Sequence, residues 1–130
     1  MLGNKKKKFY QLKKGDKIWI LTNAGHYESG APALYEAEIW EDSRKQQSLS
    51  FPEYCHVCYY CPKLNQQHYL NVSLHGEESI GYNEHRFFTS KGEARRYQKK
   101  VAKERLERKI MEKNAIEETI KELEKKIIEG

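Results

Sequence analysis

The chain is poor in the residues that break or cross-link structure. Proline occurs three times, at 32, 52 and 62, and none follows. Nothing after Pro62 therefore interrupts a helix by lacking its amide hydrogen. The three cysteines, Cys55, Cys58 and Cys61, lie within seven residues of one another, which is a poor disulfide framework. A reducing cytoplasm is the expected setting. Long apolar runs are also missing. With hydroxyl- and thiol-bearing residues set apart, Ile18-Trp19-Ile20-Leu21 is the longest, far short of a membrane span. The start, Met1-Leu2-Gly3-Asn4 before four lysines, has no apolar stretch behind its charge and does not read as a secretory signal.

Catalytic patterns are scarce as well. The histidines at 26, 56, 68, 75 and 85 fall in no His-Glu-x-x-His spacing, phosphate loop or nucleophile elbow. His75 with Glu77, or Glu84 with His85, could exchange protons if folded together, but these read as ordinary turn residues. A non-enzymatic protein is the expectation.

Charge is plentiful and segregated. Charged residues make up 33% of the chain against 38% hydrophobic ones, so a modest core is possible but not along the whole length. Residues 1–17 carry seven Lys and one Asp, and residues 18–90 carry four basic and nine acidic residues. Residues 91–113 carry ten basic and four acidic residues, and residues 114–130 carry three and five. An acidic middle is thus flanked by a basic arm, residues 1–8, and a basic stretch near 91–113. The asymmetry points to an anionic partner, or to docking of the basic pieces on the acidic domain of a neighbouring chain.

Residues 9–89 read as a β-rich domain. Gly15-Asp16 leads into Lys17-Ile18-Trp19-Ile20-Leu21, a strand signal, and residues 22–33 read as a loop around Gly25, Gly30 and Pro32. In the strand 34–40, Tyr35, Ala37 and Ile39 share one face, and Glu36 and Glu38 the other. Residues 41–47 look turn-like. Residues 48–51 and 54–60 suggest short strands around Pro52. Residues 69–74 alternate with Leu70, Val72 and Leu74 inward, and a last strand falls near 79–82 or 85–88. The segment Lys13-Lys14-Gly15-Asp16-Lys17-Ile18 resembles the first strand of many SH3-like barrels. An α+β protein is expected, with a small antiparallel sheet or SH3-like partial barrel followed by a long helix.

Residues 90–130 form the helical segment. Ser90-Lys91-Gly92-Glu93 is a capping box, and the preceding Phe87 and Phe88 can anchor the helix start. From Lys91 to Glu129 the residues are mostly strong helix formers. Asn114 with Glu117 could cap a second helix, so a break near Asn114 competes with one continuous helix. A straight 40-residue helix would reach about 60 Å and overhang its own domain, leaving an apolar stripe for another chain to cover. Val101, Leu106, Ile116, Ile120, Leu123 and Ile127 are the candidate coiled-coil, oligomer-forming positions.

Three candidate chemistries remain. The basic face Arg95, Arg96, Lys99, Lys100, Lys103, Arg105 and Arg108 can lie along phosphates, or be only a solvated face balanced by Glu104, Glu107 and Glu112. Cys55, Cys58 and Cys61, with His68 or His56 as a fourth ligand, could wrap zinc, although three clustered cysteines are only half the usual framework. Against zinc, an extended strand turns Cys58 away from Cys55 and Cys61. The run also resembles part of a ferredoxin motif, but lacks its fourth cysteine. The aromatics Tyr10, Trp19, Tyr35, Trp40, Tyr59, Tyr60, Tyr69 and Tyr82 can stack bases, or fill the core of a small sheet.

The lysine-rich start, short β-domain, Phe87-Phe88-Thr89-Ser90-Lys91 junction and Lys/Glu/Ile tail resemble, as a format, the small accessory proteins of phages and mobile elements in low-GC bacteria. That resemblance implies modulation of nucleic-acid machinery or inhibition of a host defence system. The expectation is a homo-oligomeric binding protein, a dimer or higher, that holds nucleic acid or a nucleotide. The alternatives are a phage-type inhibitor that binds a host protein, and a small zinc-binding module.

Overall fold

The computed structural model describes residues 7–25, 30–45, 54–73, 79–82 and 84–130. A 3-10 turn at Phe9–Gln11 precedes six strands and one helix: β1 (Lys17–Thr22), β2 (Ala33–Lys45), β3 (Tyr54–Cys61), β4 (Gln66–Ser73), β5 (Ser79–Tyr82), β6 (His85–Phe88) and α1 (Lys91–Glu129). The strands form one antiparallel sheet in the order β4-β3-β2-β1-β6-β5. This is the expected α+β arrangement, with both 79–82 and 85–88 present as a hairpin. The expected strand 48–51 and Leu74 lie outside the described residues.

The sheet curls into a half-barrel. Strands β3 and β6 are three spacings apart, about 14 Å in a flat sheet. Yet the rings of Tyr59 and Phe87 approach to 5.4 Å between centroids. Inside the curl lie Ile18, Ile20, Ala37, Ile39, Val57, Leu70 and Val72, with Phe9 and Leu12 closing it from the 3-10 turn. The period-2 expectation holds: Ala37 and Ile39 are buried and Glu36 and Glu38 exposed, and Leu70 and Val72 are buried while Asn71 is exposed.

Strand β2 runs on to Lys45, although residues 41–45 read as a turn. Two register shifts, between Ile39 and Glu41 and between Glu41 and Arg44, bend it around the barrel end. The segment before β1 then satisfies its backbone. The Gly15 amide donates to Ile39 O, the Ile39 amide to Asp16 O and the Ser43 amide to Leu12 O, at 2.8, 2.8 and 3.0 Å. Gly15 sits at φ 95°, where a side chain would be strained. Asp16 locks this turn, accepting from the Lys7 ammonium and the Lys13 amide, both at 2.8 Å. Burial alone would raise its carboxyl, but these donors outweigh it and hold the group below its ordinary value.

Helix α1 is unbroken across Asn114, so the two-helix alternative does not apply. Ser90 caps it, accepting from the Glu93 amide at 3.4 Å. Its 39 residues span about 58 Å. Phe87 and Phe88, adjacent on β6, face opposite ways. Phe87 joins the barrel interior, whereas Phe88 lies outside with Leu21 and Ala94, flanked by Trp19, Leu34 and Tyr97. This outer cluster seats the base of the helix. Residues 106–130 are all exposed.

Candidate nucleotide cleft at the helix base

The inward stripe of the docked helix is made of small or bonded side chains. Ala94 and Val101 bring the helix close to the sheet. The Gln98 amide nitrogen donates to Pro32 O at 3.0 Å. Arg105, one turn beyond Val101, donates from Nη1 to Asn23 O and Gly30 O, each at 2.6 Å, and from Nη2 to Gly25 O at 3.0 Å. The loop before β2 is thereby tied to the helix. Charge-assisted bonds of this kind are short and strong, and a carbonyl cluster is a natural seat for a guanidinium. Arg105 is thus withdrawn from the expected anion-binding set, because it is buried and its donors are engaged.

Most of the other basic residues lie on the outward side of the helix. Positions 94, 98, 101 and 105 face the sheet, so Arg95, Lys99, Lys103, Arg96 and Lys100 follow one another across about 140° of the opposite side, with Glu93 and Tyr97 next beyond Lys100. Lys103 and Arg108 are exposed, Lys103 on the outward side and Arg108 beyond the docked turns. Arg95, Lys99, Lys103, Arg96 and Lys100 therefore share one exposed arc of the docked segment, while Arg105 is taken out of it.

On the Arg96 flank a cleft of about 310 Å³ opens between helix and sheet, lined by Phe88, Glu93, Arg96, Tyr97 and Lys100. At its edge the buried Phe88 ring packs against the half-buried Tyr97 ring, centroids 5.5 Å apart and inclined at 54°. Arg86 packs on both rings. Its guanidinium lies 4.9 Å from the Tyr97 centroid and 5.9 Å from that of Phe88. Arg96 and Lys100, one turn apart, bring two positive charges to the rim. Two cations beside the half-buried Tyr97 fit an anionic ligand. Sequence reasoning named Arg96 and Lys100 but not Phe88, Tyr97 or Arg86. Alternation along β6 sends Phe88 and Arg86 to the face opposite Phe87, and that was the available signal.

The cysteines are not brought together. Cys55 and Cys61 point into the barrel with Val57 and Tyr59. Cys58 faces outward beside Glu41 and Arg44. Cys55 and Cys61 are about 20 Å apart along the extended strand. His68 is exposed on β4 opposite Tyr59. Among the described residues no group of three His, Cys, Asp or Glu could hold a metal ion. Burial pushes the Cys55 thiol up to about 11. Cys58 is raised too, first by burial and then by the Glu41 carboxylate. Neither is an activated thiolate.

Of the expected oligomer-forming positions, Val101 is used against the sheet. Leu106, Ile116, Ile120, Leu123 and Ile127 remain exposed, Ile127 by 80%. Of the aromatics, Tyr59 is buried, Trp19 and Tyr35 are half-buried, and Tyr10, Trp40, Tyr60 and Tyr69 are exposed. His56 rests against Tyr69 with centroids 4.9 Å apart. Glu84 is exposed and His85 packs edge-on against Phe87, while His75 and Glu77 lie outside the described residues. Among the described residues no helix is long and apolar enough to cross a membrane. Comparison with protein-family models, curated proteins and solved structures gives no match for this chain.

Proposed function

We propose that this protein is a non-enzymatic, homo-oligomeric binding protein that holds a nucleic acid or a nucleotide at the base of its helix. The observation carrying this reading is the open cleft that Arg96 and Lys100 line together with Tyr97. Self-association is assigned to the distal helix. Ile116, Ile120, Leu123 and Ile127 recur at 4-3-4 spacing and are exposed, the pattern by which two helices bury a common seam. The seam covers about two heptads, fewer than the three or four of a sustained coiled coil. Dimerisation is therefore expected to depend on protein concentration.

The test is a salt titration of binding to a fluorescein-labelled oligonucleotide. With three or four phosphates neutralised on a single strand, log K should fall against log salt with a slope of about −2 to −3. Joint Arg96→Glu and Lys100→Glu substitution should abolish binding, and Arg95→Glu with Lys99→Glu should weaken it less. Binding unchanged by the first pair would overturn the assignment.

A second reading, a phage-type inhibitor acting by protein–protein binding, draws on the open outer face of β2, β3 and β4. There Trp40, Tyr60 and Tyr69 are exposed near Glu36, Glu38 and Glu41. Exposed aromatics ringed by carboxylates suit a basic protein surface better than a phosphate backbone. That reading requires a stable complex with a host protein and no affinity for nucleic acid.

A further inference from the structure

Resting on the nucleic-acid reading of the helix base, we infer that the ligand is a nucleic-acid duplex lying along the outward side of α1 and held by its phosphates. The cleft cations Arg96 and Lys100 are the edge of a larger surface. At about 100° per residue, Arg95, Lys99, Lys103, Arg96 and Lys100 cover about 140° of the helix, and no other residue from 95 to 103 falls within that arc. All five are exposed. They extend over about 12 Å of helix axis, with Arg95, Lys99 and Lys103 at steps of about 6 Å.

These charges are uncompensated, unlike those farther along the same helix. Lys109, Lys113, Lys121, Lys125 and Lys126 each stand 3.4–3.9 Å from a glutamate three or four residues away. None of the five cations on the arc has an ion pair or side-chain hydrogen bond with a described residue. Glu104 and Glu107 come one turn after Lys100 and Lys103, so they can offset only the far end of the arc. The stretch that carries the arc is also the docked one. Ala94 and Val101 are buried against the sheet, and Gln98 and Arg105 bond to backbone carbonyls of the loop before β2. The cations therefore stand on a fixed backbone, with only their own side chains to order.

What the arc lacks selects the ligand. It carries no aromatic side chain. Tyr97 lies beyond Lys100, half-buried, with the Arg86 guanidinium 4.9 Å from its ring centroid. Single strands are held largely by stacking their bases on aromatic rings, whereas a duplex keeps its bases stacked inside and presents charge. A DNA duplex carries one negative charge per about 1.7 Å of axis, against about 3.4 Å for one of its strands. A surface that works by charge alone favours the denser of the two. Contacts to phosphates also read no sequence, so binding is expected to be independent of it.

The experiment uses the full chain, a labelled DNA duplex of about 16 base pairs, one of its strands, and nucleoside monophosphates as competitors. With five phosphates neutralised, log K for the duplex should fall against log salt with a slope of about −4 to −5. The duplex should bind at least tenfold more tightly than the strand at about 150 mM salt, and the monophosphates should not displace it. Joint Arg95→Gln, Lys99→Gln and Lys103→Gln substitution, with Arg96 and Lys100 kept, should bring the slope to about −2 and weaken duplex binding at least tenfold. The same loss of charge in the ion-paired half, by Lys109→Gln, Lys121→Gln and Lys125→Gln, should change affinity by about twofold at most. Circular dichroism should show equal helix content in both variants, since glutamine is a good helix former. Equal weakening by the two triple substitutions would overturn the inference, because net charge alone would then account for binding. A strand bound as tightly as the duplex would overturn it too. Displacement by monophosphates, with the Arg95–Lys99–Lys103 variant unaffected, would return the ligand to the cleft, overturning the inference and leaving the nucleotide reading standing. No binding of any probe would overturn both.

Discussion

The two halves of α1 are built from the same kinds of residue and meet different ends. Residues 91–105 bury Ala94, Val101 and Arg105 against the sheet and loop. Residues 106–129 carry Leu106, Ile110, Met111, Ile116, Ile120, Leu123, Ile127 and Ile128, all exposed. The half with more large apolar side chains is the one its own domain leaves uncovered. Hydrophobicity along a helix thus shows that a face seeks burial, but not against what. The docked half succeeds because small residues allow close approach and because loop carbonyls face Arg105. Among the described residues the outer half has no surface of its own domain against it.

The largest expected effect sits at the seam under the docked half. Phe88→Ala should cost about 3–4 kcal/mol in urea unfolding, since the ring is enclosed by Leu21, Ala94 and Tyr97. A loss under about 1 kcal/mol would mean that the helix base contributes little to stability. Next is the clamp. Arg105→Met keeps bulk but strands three carbonyls, and should cost about 2–3 kcal/mol, whereas Arg108→Met should stay within about 0.5 kcal/mol. Equal costs for the two would erase the distinction between docked and free turns.

In the outer half, Ile120→Asn with Leu123→Asn should leave monomer stability within about 1 kcal/mol yet abolish self-association in sedimentation experiments. A monomer destabilised well beyond that would show that the outer half does contact its own domain. The smallest effect is an acid one, confined to the body. The carboxyl of Asp16 is held below its unfolded value of about 3.9, so its contribution is present above that pH and fades as pH falls through the lower folded value. Asp16→Asn should remove this part of the acid dependence below about pH 4 and leave the wild-type slope above it. An unchanged acid profile in the variant would detach the Lys7–Asp16 turn from stability.

Much of the fold was legible residue by residue. Ser90 caps the helix as its spacing with Glu93 predicts. Strand faces follow alternation at Ala37–Ile39 and Leu70–Val72, and alternation also separates Cys58 from Cys55 and Cys61. These are local rules, acting over two to four residues. The strand 41–45 was missed because its polar sequence says turn, while its partners are distant: Cys58, His56 and Cys55 on β3 across a bulged register, and Phe9 and Leu12 at its other edge. Arg105 was misread for a related reason. Nothing in Lys103-Glu104-Arg105-Leu106 distinguishes a buried clamp from a solvated charge.

The sequence by itself determined that a capped, proline-free helix follows a short-stranded domain, and which side chains alternate inward, because helix and strand periods act between near neighbours. Only the tertiary structure decided that Arg105 serves a loop some eighty positions away, and that Phe88 on β6 meets Tyr97 on the helix. Those outcomes depend on how the sheet curls and where the helix lands on it. The contacts that set both join residues far apart in the chain, and no local pattern encodes them.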